Sequence, residues 1–270
     1  LINFTNPAGL VVEAIMRHTE TRVIGLCNVP INMQIKAAKL LDVAPDRVEL
    51  QYVGLNHLSW ARVLVDGRDV TRDVLDIEWG GRSGQIDPGY LKALGLVPNY
   101  YLRYFAHPDR VLREQLTAEE TRAEYLQGVE AELLDMYADP TLSEKPKLLE
   151  TRGGAYYSTV AVQLIRAIAQ DRREVHIVNT RNGLALPDLP QDAVVEVPAV
   201  IGRSASATDT PSRFMRCPVI TACRTSVVTC VMRSIRANVA VRMSTLVPSA
   251  ATICRRVKYR KVAITATIST

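Results

Sequence analysis

The chain opens on an apolar run, Leu1–Phe4, that reads as a buried strand. Asn6-Pro7-Ala8 then predicts a helix start, with Asn6 in an N-cap-like position and Pro7 in the favoured first turn. Leu10, Val11, Ala14 and Ile15 recur at helical spacing as far as His18. Arg22–Cys27 is a second strand-like run, and from Pro30 the residues Ile31, Ile35, Ala38 and Leu41 fall on one stripe. Strand, helix, strand and helix in so short a stretch is the rhythm of an α/β sheet with parallel strands, whose ligands gather beyond the carboxyl ends of the strands. Asn6 and Cys27-Asn28 lie at those two ends.

After Pro45 the pattern changes. Val48–Leu55 and Leu58–Val65 predict strands, Asp66-Gly67 a turn, and Asp69–Leu94 mixed helix and loop with Gly80, Gly81 and Gly84 marking a pliant stretch. Thr117 with Glu120 reads as a capping box ahead of a helix reaching about Tyr137. Ala155–Gln170 carries Val160, Leu164, Ile165 and Ile168 at helical spacing, and Val175–Val178 and Val194–Val197 read as strands. Before residue 203 there is no repeat and no low-complexity linker.

Charge divides the chain. From Arg203 onward 12 Lys and Arg face the single acid Asp209, a net +11, which leaves 21 basic and 27 acidic residues, a net −6, for 1–202. The tail also holds Cys217, Cys223, Cys230 and Cys254, while 1–202 holds Cys27 alone, so a disulfide framework is excluded there and a reducing, cytoplasmic location is expected. A basic arm for nucleic acid or an acidic surface is one reading of 203–270. Its mixture of Arg, Ser, Thr and Cys without Glu or periodicity instead favours a sequence that did not evolve as protein, such as an out-of-frame translation. No apolar run approaches the roughly 20 residues of a membrane span, and the chain starts without Met inside a strand-like run, as expected of a fragment lacking its natural N-terminus.

Four clusters carry candidate chemistry. Asn3-Phe4-Thr5-Asn6-Pro7-Ala8-Gly9 places amides at a helix start. Cys27-Asn28 and Asn56-His57 each close an apolar segment containing Gly-Leu; a thiol and an imidazole are both ligands for a divalent transition metal, although isolated residues of these types are usually core packing. Asn99-Tyr100-Tyr101-Leu102-Arg103-Tyr104-Phe105 is either aromatic packing or the setting of a tyrosine base. Arg152-Gly153-Gly154-Ala155-Tyr156-Tyr157-Ser158 suits phosphate or is an ordinary glycine-rich helix entry. Residues 1–202 contain no Ser-His-Asp order, Walker loop, CxxC pair or GxGxxG turn.

In this order and spacing the four clusters resemble glycoside hydrolase family 4, in its 6-phospho-β-glucosidase branch, over about residues 1–202. The resemblance implies an α/β fold: the end of a Rossmann-like parallel sheet (1–30, a remnant of the dinucleotide-binding domain), then an α+β substrate domain like the C-terminal domain of lactate dehydrogenase (31–202), then the aberrant tail 203–270. It implies Cys27 and His57 as ligands of Mn²⁺, Tyr101 as catalytic base, Asn6 and Asn28 as substrate contacts and Arg152 as phosphate ligand. Asn28 stands where α-glycoside members often carry Asp, which fits the β branch. The implied reaction, an exception to the two-carboxylate glycosidase scheme, oxidises carbon-3 with NAD⁺, removes the carbon-2 proton, eliminates the aglycone, adds water and returns the hydride. The expected partners are a phosphorylated disaccharide or β-glucoside 6-phosphate and further copies of the chain, with neither membrane nor nucleic acid. The residues that would hold NAD⁺ are not identified, and a truncated chain is expected to be of doubtful activity. The competing readings are a dehydrogenase of the malate or lactate type, whose His-Asp pair and arginine loop are not found, and a basic binding module resting on 203–270.

Overall fold

Strand β1 (Ile2–Asn3) pairs in parallel with β2 (Ile24–Gly25), Ile2 opposite Ile24, and α1 (Ala8–His18) connects them. The structure is a computed structural model that describes residues 1–77, 86–187 and 189–203, leaving the expectations placed on Gly80, Gly81, Gly84 and on 204–270 outside the described residues. After α2 (Val29–Leu41) come β3 (Val48–Leu55) and β4 (Leu58–Val65), a hairpin closed by Leu55 opposite Leu58. Strand β5 (Arg68–Asp69), α3 (Thr71–Ile77), α4 (Pro88–Leu94) and β6 (Val97–Pro98) come next. A 3₁₀ turn over Tyr100–Leu102 leads into α5 (Arg103–Ala106), α6 (Pro108–Leu116), α7 (Arg122–Tyr137), α8 (Leu149–Arg152) and α9 (Tyr157–Ala169), and the described part ends with β7 (Glu174–Arg181) and β8 (Val194–Ile201).

The α/β class holds, but the sheet is mixed. Its order is β1-β2-β7-β8; β7 runs antiparallel to β2, and β8 antiparallel to β7. Strands β7 and β8 are consecutive, and among the described residues no helix lies between them to provide a parallel crossover. A second sheet sets β4 between β3 and β5, with β6 also paired to β4.

Alternation along the chain divides the core. Ile24 and Leu26 pack with Leu164 and Ala167 of α9 and with Val178, Ala199 and Ile201, whereas Cys27 turns into a cluster made by Met33, Ala37 and Ala38 of α2 with Val48, Leu50 and Tyr52 of β3. Val12 of α1 meets Val23 and Val194 in a third cluster. The close approach of α1 and β7 over β2 requires glycine at 25, because a Cβ there would lie 2.7 Å from Val12 Cγ2 and 2.8 Å from Asn179 Cβ.

Two expected caps fall elsewhere. The reciprocal box belongs to Thr121 and Glu124: Thr121 N donates to Glu124 Oε2 at 2.7 Å and Glu124 N to Thr121 Oγ1 at 3.2 Å. Thr117 instead ends α6, its hydroxyl donating to the Arg113 carbonyl at 2.9 Å. Pro7, not Asn6, is the N-cap of α1, and no side chain caps it.

The β3–β4 hairpin turns on a single glycine. Gly54 takes φ 146°, and a Cβ there would come within 2.3 Å of the Leu58 carbonyl oxygen and 2.6 Å of Ser59 Cα. Both obstacles are backbone, so neither can swing aside. Gly54→Ala is expected to destabilise the fold by about 3 kcal/mol or more; a thermal melt within a degree or two of the unaltered chain would contradict this account of the hairpin.

Candidate active site

The hairpin turn consists of Asn56 and His57, and His57 takes φ 66°. A left-handed conformation is uncommon for a residue other than glycine and costs about 1–3 kcal/mol, a kind of strain that gathers at functional sites. It carries the imidazole back over the carboxyl end of β2. There His57 Nε2 lies 3.6 Å from Cys27 Sγ. The Cys27 side chain is 3 % exposed and accepts the Val29 N–H at 3.5 Å from the first turn of α2. Burial first, then the nearby Glu196 carboxylate, push the Cys27 thiol up to about 12. Burial also holds the His57 imidazolium below its ordinary range, so the ring is neutral near pH 7 and its nitrogens are available to a metal.

The spacing can be tested against a shared cation. Bonds of about 2.1 Å to nitrogen and about 2.3 Å to sulfur place the two donors about 3.6 Å apart at a tetrahedral angle and about 3.1 Å apart at a right angle. The observed separation fits a four-coordinate ion directly and a six-coordinate one after a slight closing. Among the described residues no third His, Cys, Asp or Glu joins this pair into a larger metal-binding group. The remaining positions would fall to exogenous ligands, as a catalytic rather than a structural site requires.

Tyr101 stacks on His57 with ring centroids 4.0 Å apart and planes inclined by 22°. Its place is set by Asn99, whose Oδ1 accepts the Tyr101 N–H at 3.1 Å while its own N–H donates to the Ser59 carbonyl at 2.9 Å. Tyr100 lies against Tyr101 at 4.2 Å, and its phenol is raised by burial first and then by the Tyr101 hydroxyl. Arg103 sits 5.0 Å over the Tyr104 ring, so the arginine of this motif is engaged by aromatic stacking on the same turn.

Asn28 is the N-cap residue of α2, but its side chain makes no cap bond; Nδ2 instead donates to the Ala155 carbonyl at 3.1 Å and ties the end of β2 to the entry of α9. Asn6 meets the Tyr157 side chain, whose hydroxyl also engages the Asn28 backbone. Burial raises the Tyr157 phenol, with further contributions from Cys27 and Tyr101. Nothing in its sequence motif sets Tyr157 apart from Tyr156, and only the fold shows it linking Asn6 to Asn28.

Arg152 is not brought into this group by any contact among the described residues. Its Nη2 and Nε bind Glu130 Oε1 at 2.8 and 3.1 Å across to α7, and the pair is about half exposed. Gly153 comes next at φ 89°, and Arg122 donates to the Thr151 and Arg152 carbonyls at 3.0 Å, fixing the turn. The structure therefore unites Cys27, His57 and Tyr101, places Asn28 and Asn6 around Tyr157, and leaves Arg152 paired with a carboxylate.

Comparison with known proteins bears on the family of the chain. Residues 52–213 match the family 4 glycosyl hydrolase C-terminal domain, and residues 1–43 match the family 4 glycosyl hydrolase model. The chain is 42% identical over 218 residues to a probable 6-phospho-β-glucosidase of Bacillus subtilis, covering 76% of this chain and 49% of that one. It is 36% identical over 225 residues to a 6-phospho-β-glucosidase of Escherichia coli, again covering 76% and 49%. The Thermotoga maritima 6-phospho-β-glucosidase solved with manganese, NAD⁺ and glucose-6-phosphate superposes with a TM-score of 0.68 at 36% identity, over 75% of this chain and 49% of that one. The chain thus spans about half the length of the relatives it matches. It belongs to family 4 of the glycosyl hydrolases, on its 6-phospho-β-glucosidase branch.

Proposed function

We propose that the chain hydrolyses 6-phospho-β-glucosides with a divalent cation, Mn²⁺ in the first instance, and NAD⁺. The observation that carries this reading is the 3.6 Å approach of Cys27 to His57 with the Tyr101 ring stacked on the imidazole. Cys27 and His57 hold the cation. Of an NAD⁺ site the described residues hold only the carboxyl ends of β1 and β2, with no glycine-rich phosphate turn among them. When bound, the cation supplies a Lewis acid for substrate oxygens, and the nicotinamide supplies reversible hydride exchange.

The chain's own residues do the rest. Tyr101 Oη takes the proton from carbon-2 of the sugar, an acid–base step that needs the phenol fixed beside the metal ligands. The Asn99 cap and the stack on His57 fix it. Asn28 and Asn6, linked through Tyr157, face the sugar beyond the strand ends. Arg152 binds the 6-phosphate by exchanging Glu130 for it, its Nε and Nη2, which now share Glu130 Oε1, each taking a phosphate oxygen. No pair of carboxylates is needed to protonate and displace the leaving group.

In this reading residues 1–30 close a dinucleotide-binding domain and 31–202 form the substrate domain. Both act in the cytoplasm within a homo-oligomer and without nucleic acid. Among the described residues no helix is long and apolar enough to cross a membrane. The test is release of a chromogenic aglycone from its β-glucoside 6-phosphate and from the unphosphorylated glucoside. Turnover is expected only with the phosphate, with NAD⁺ required but not consumed, and with deuterium from solvent entering at carbon-2. Equal turnover of the two glucosides, or no deuterium at carbon-2, sinks the proposal.

A further inference from the structure

Glu196 lies midway along β8, among Val194, Val195 and Val197, and is 0 % exposed. Alternation sends Ala199 and Ile201 towards α9, while Glu196 points the other way, towards β3 of the second sheet. Valine or leucine would satisfy that position on packing grounds. A carboxylate buried there costs several kcal/mol of desolvation unless it is fully hydrogen-bonded.

It is met by donors from three elements. Asn56 Nδ2 reaches Glu196 Oε1 at 3.1 Å and Asn179 Nδ2 reaches the same oxygen at 2.9 Å, while the Tyr52 hydroxyl donates to Oε2 at 2.9 Å. No ion pair of Glu196 occurs among the described residues. An acceptor-only group is the one side chain able to take all three bonds at once. Tyr52 then passes the contact on: its hydroxyl is 2.6 Å from Ser59 Oγ, and Asn99 Nδ2 donates to that Oγ at 3.1 Å.

The two ends of this network are the neighbours of the site. Asn56 precedes His57 in the strained hairpin turn, and Asn99 caps the turn that presents Tyr101. We propose that Glu196 is a positioning residue that holds His57 and Tyr101 in register with Cys27, through Asn56 on one side and through Tyr52, Ser59 and Asn99 on the other. The role presupposes that Cys27 and His57 bind a cation. Asn179, opposite both Gly25 and Glu196 in the sheet, anchors the carboxylate to the strand that leads into Cys27.

Co²⁺ alone is the probe, titrated into the 270-residue chain and read by its near-ultraviolet thiolate absorption. Glu196→Ala removes every acceptor and is expected to weaken Co²⁺ binding about 10- to 100-fold, the usual effect of losing the support behind a ligand. Glu196→Gln keeps one oxygen where the Asn56 and Asn179 amides bind and turns its N–H₂ to the Tyr52 oxygen, whose own proton then goes to Ser59 Oγ, so both limbs survive and its Co²⁺ affinity is expected to stay within about threefold of the unaltered chain. In the metal-free protein the His57 ring resonances, shifted by Tyr101, are expected to move in the alanine variant and to stay in the glutamine variant.

Unchanged affinity in Glu196→Ala overturns the positioning role, as does a glutamine variant that falls as far as the alanine one. If Glu196→Ala does not fold, Asn56→Ala is titrated in its place, with the same loss expected and unchanged affinity again overturning the role. An unaltered chain with no cobalt–thiolate band overturns the metal reading and this role with it. A normal band that Glu196→Ala leaves untouched overturns this role alone.

Discussion

Cys27→Ser is expected to weaken Mn²⁺ binding by at least about 100-fold, beyond the 10- to 100-fold typical of residues that only support a ligand. If Cys27 and His57 are the ligands, losing the thiol leaves the imidazole alone among the described residues to hold the ion. The pH dependence is the more discriminating part. The metal-free thiol is held up to about 12 by burial and by Glu196, so throughout pH 7–9 it is protonated and must release that proton to bind. His57, with its pKa lowered by burial, is already neutral in the same window and releases none. One proton leaves per ion bound, and the apparent affinity rises about tenfold per pH unit. In Cys27→Ser the hydroxyl does not ionise, and the slope flattens. Calorimetry in two buffers of different ionisation enthalpy measures the released proton directly. An affinity for Mn²⁺ that is strong and independent of pH in the unaltered chain would falsify thiolate ligation.

The parts of the fold legible in the sequence are those with strong local signals. Val48–Leu55 and Leu58–Val65 are apolar-rich runs parted only by Asn56-His57, and the hairpin keeps their bounds. The helix expected from Ala155 begins at Tyr157, because Gly153 and Gly154 both take positive φ and hold the entry open. Strand direction is less legible: β7 and β8 read from the sequence simply as strands, and only the antiparallel pairing of β7 with β2 and of β8 with β7 shows their direction. The capping box falls on the second of two adjacent Thr-x-x-Glu segments, because the first threonine, Thr117, already closes the C-terminus of α6. At the site, Cys27, His57 and Tyr101 carry recognisable chemistry and meet in space. Glu196 and Tyr157 have no such signal. One sits in a valine-rich strand and the other in a pair of tyrosines, and their value lies in partners far along the chain, Tyr52 and Asn56 for Glu196 and Asn6 and Asn28 for Tyr157.

Tyr101→Phe separates proton transfer from metal binding. Phenylalanine keeps the ring that lies 4.0 Å from the imidazole and the backbone N–H that Asn99 caps, so Mn²⁺ affinity is expected to stay within about threefold. What is lost is Oη alone. If that oxygen accepts the carbon-2 proton, kcat for aglycone release is expected to fall about 10²- to 10⁴-fold, the range for removing a positioned general base. The proton step should then limit the rate, so a substrate deuterated at carbon-2 is expected to show a larger isotope effect in the variant. Two outcomes contradict the assignment. A fall in Mn²⁺ affinity matching the fall in kcat would make Tyr101 a support for His57. A kcat within a few-fold of the unaltered protein would move the base elsewhere, and Tyr157, half-buried and in reach of Asn6 and Asn28, is one further phenol the fold brings to this edge. The stack favours Tyr101, because a base must stand beside the ion that acidifies its proton, and His57 is where Tyr101 stands.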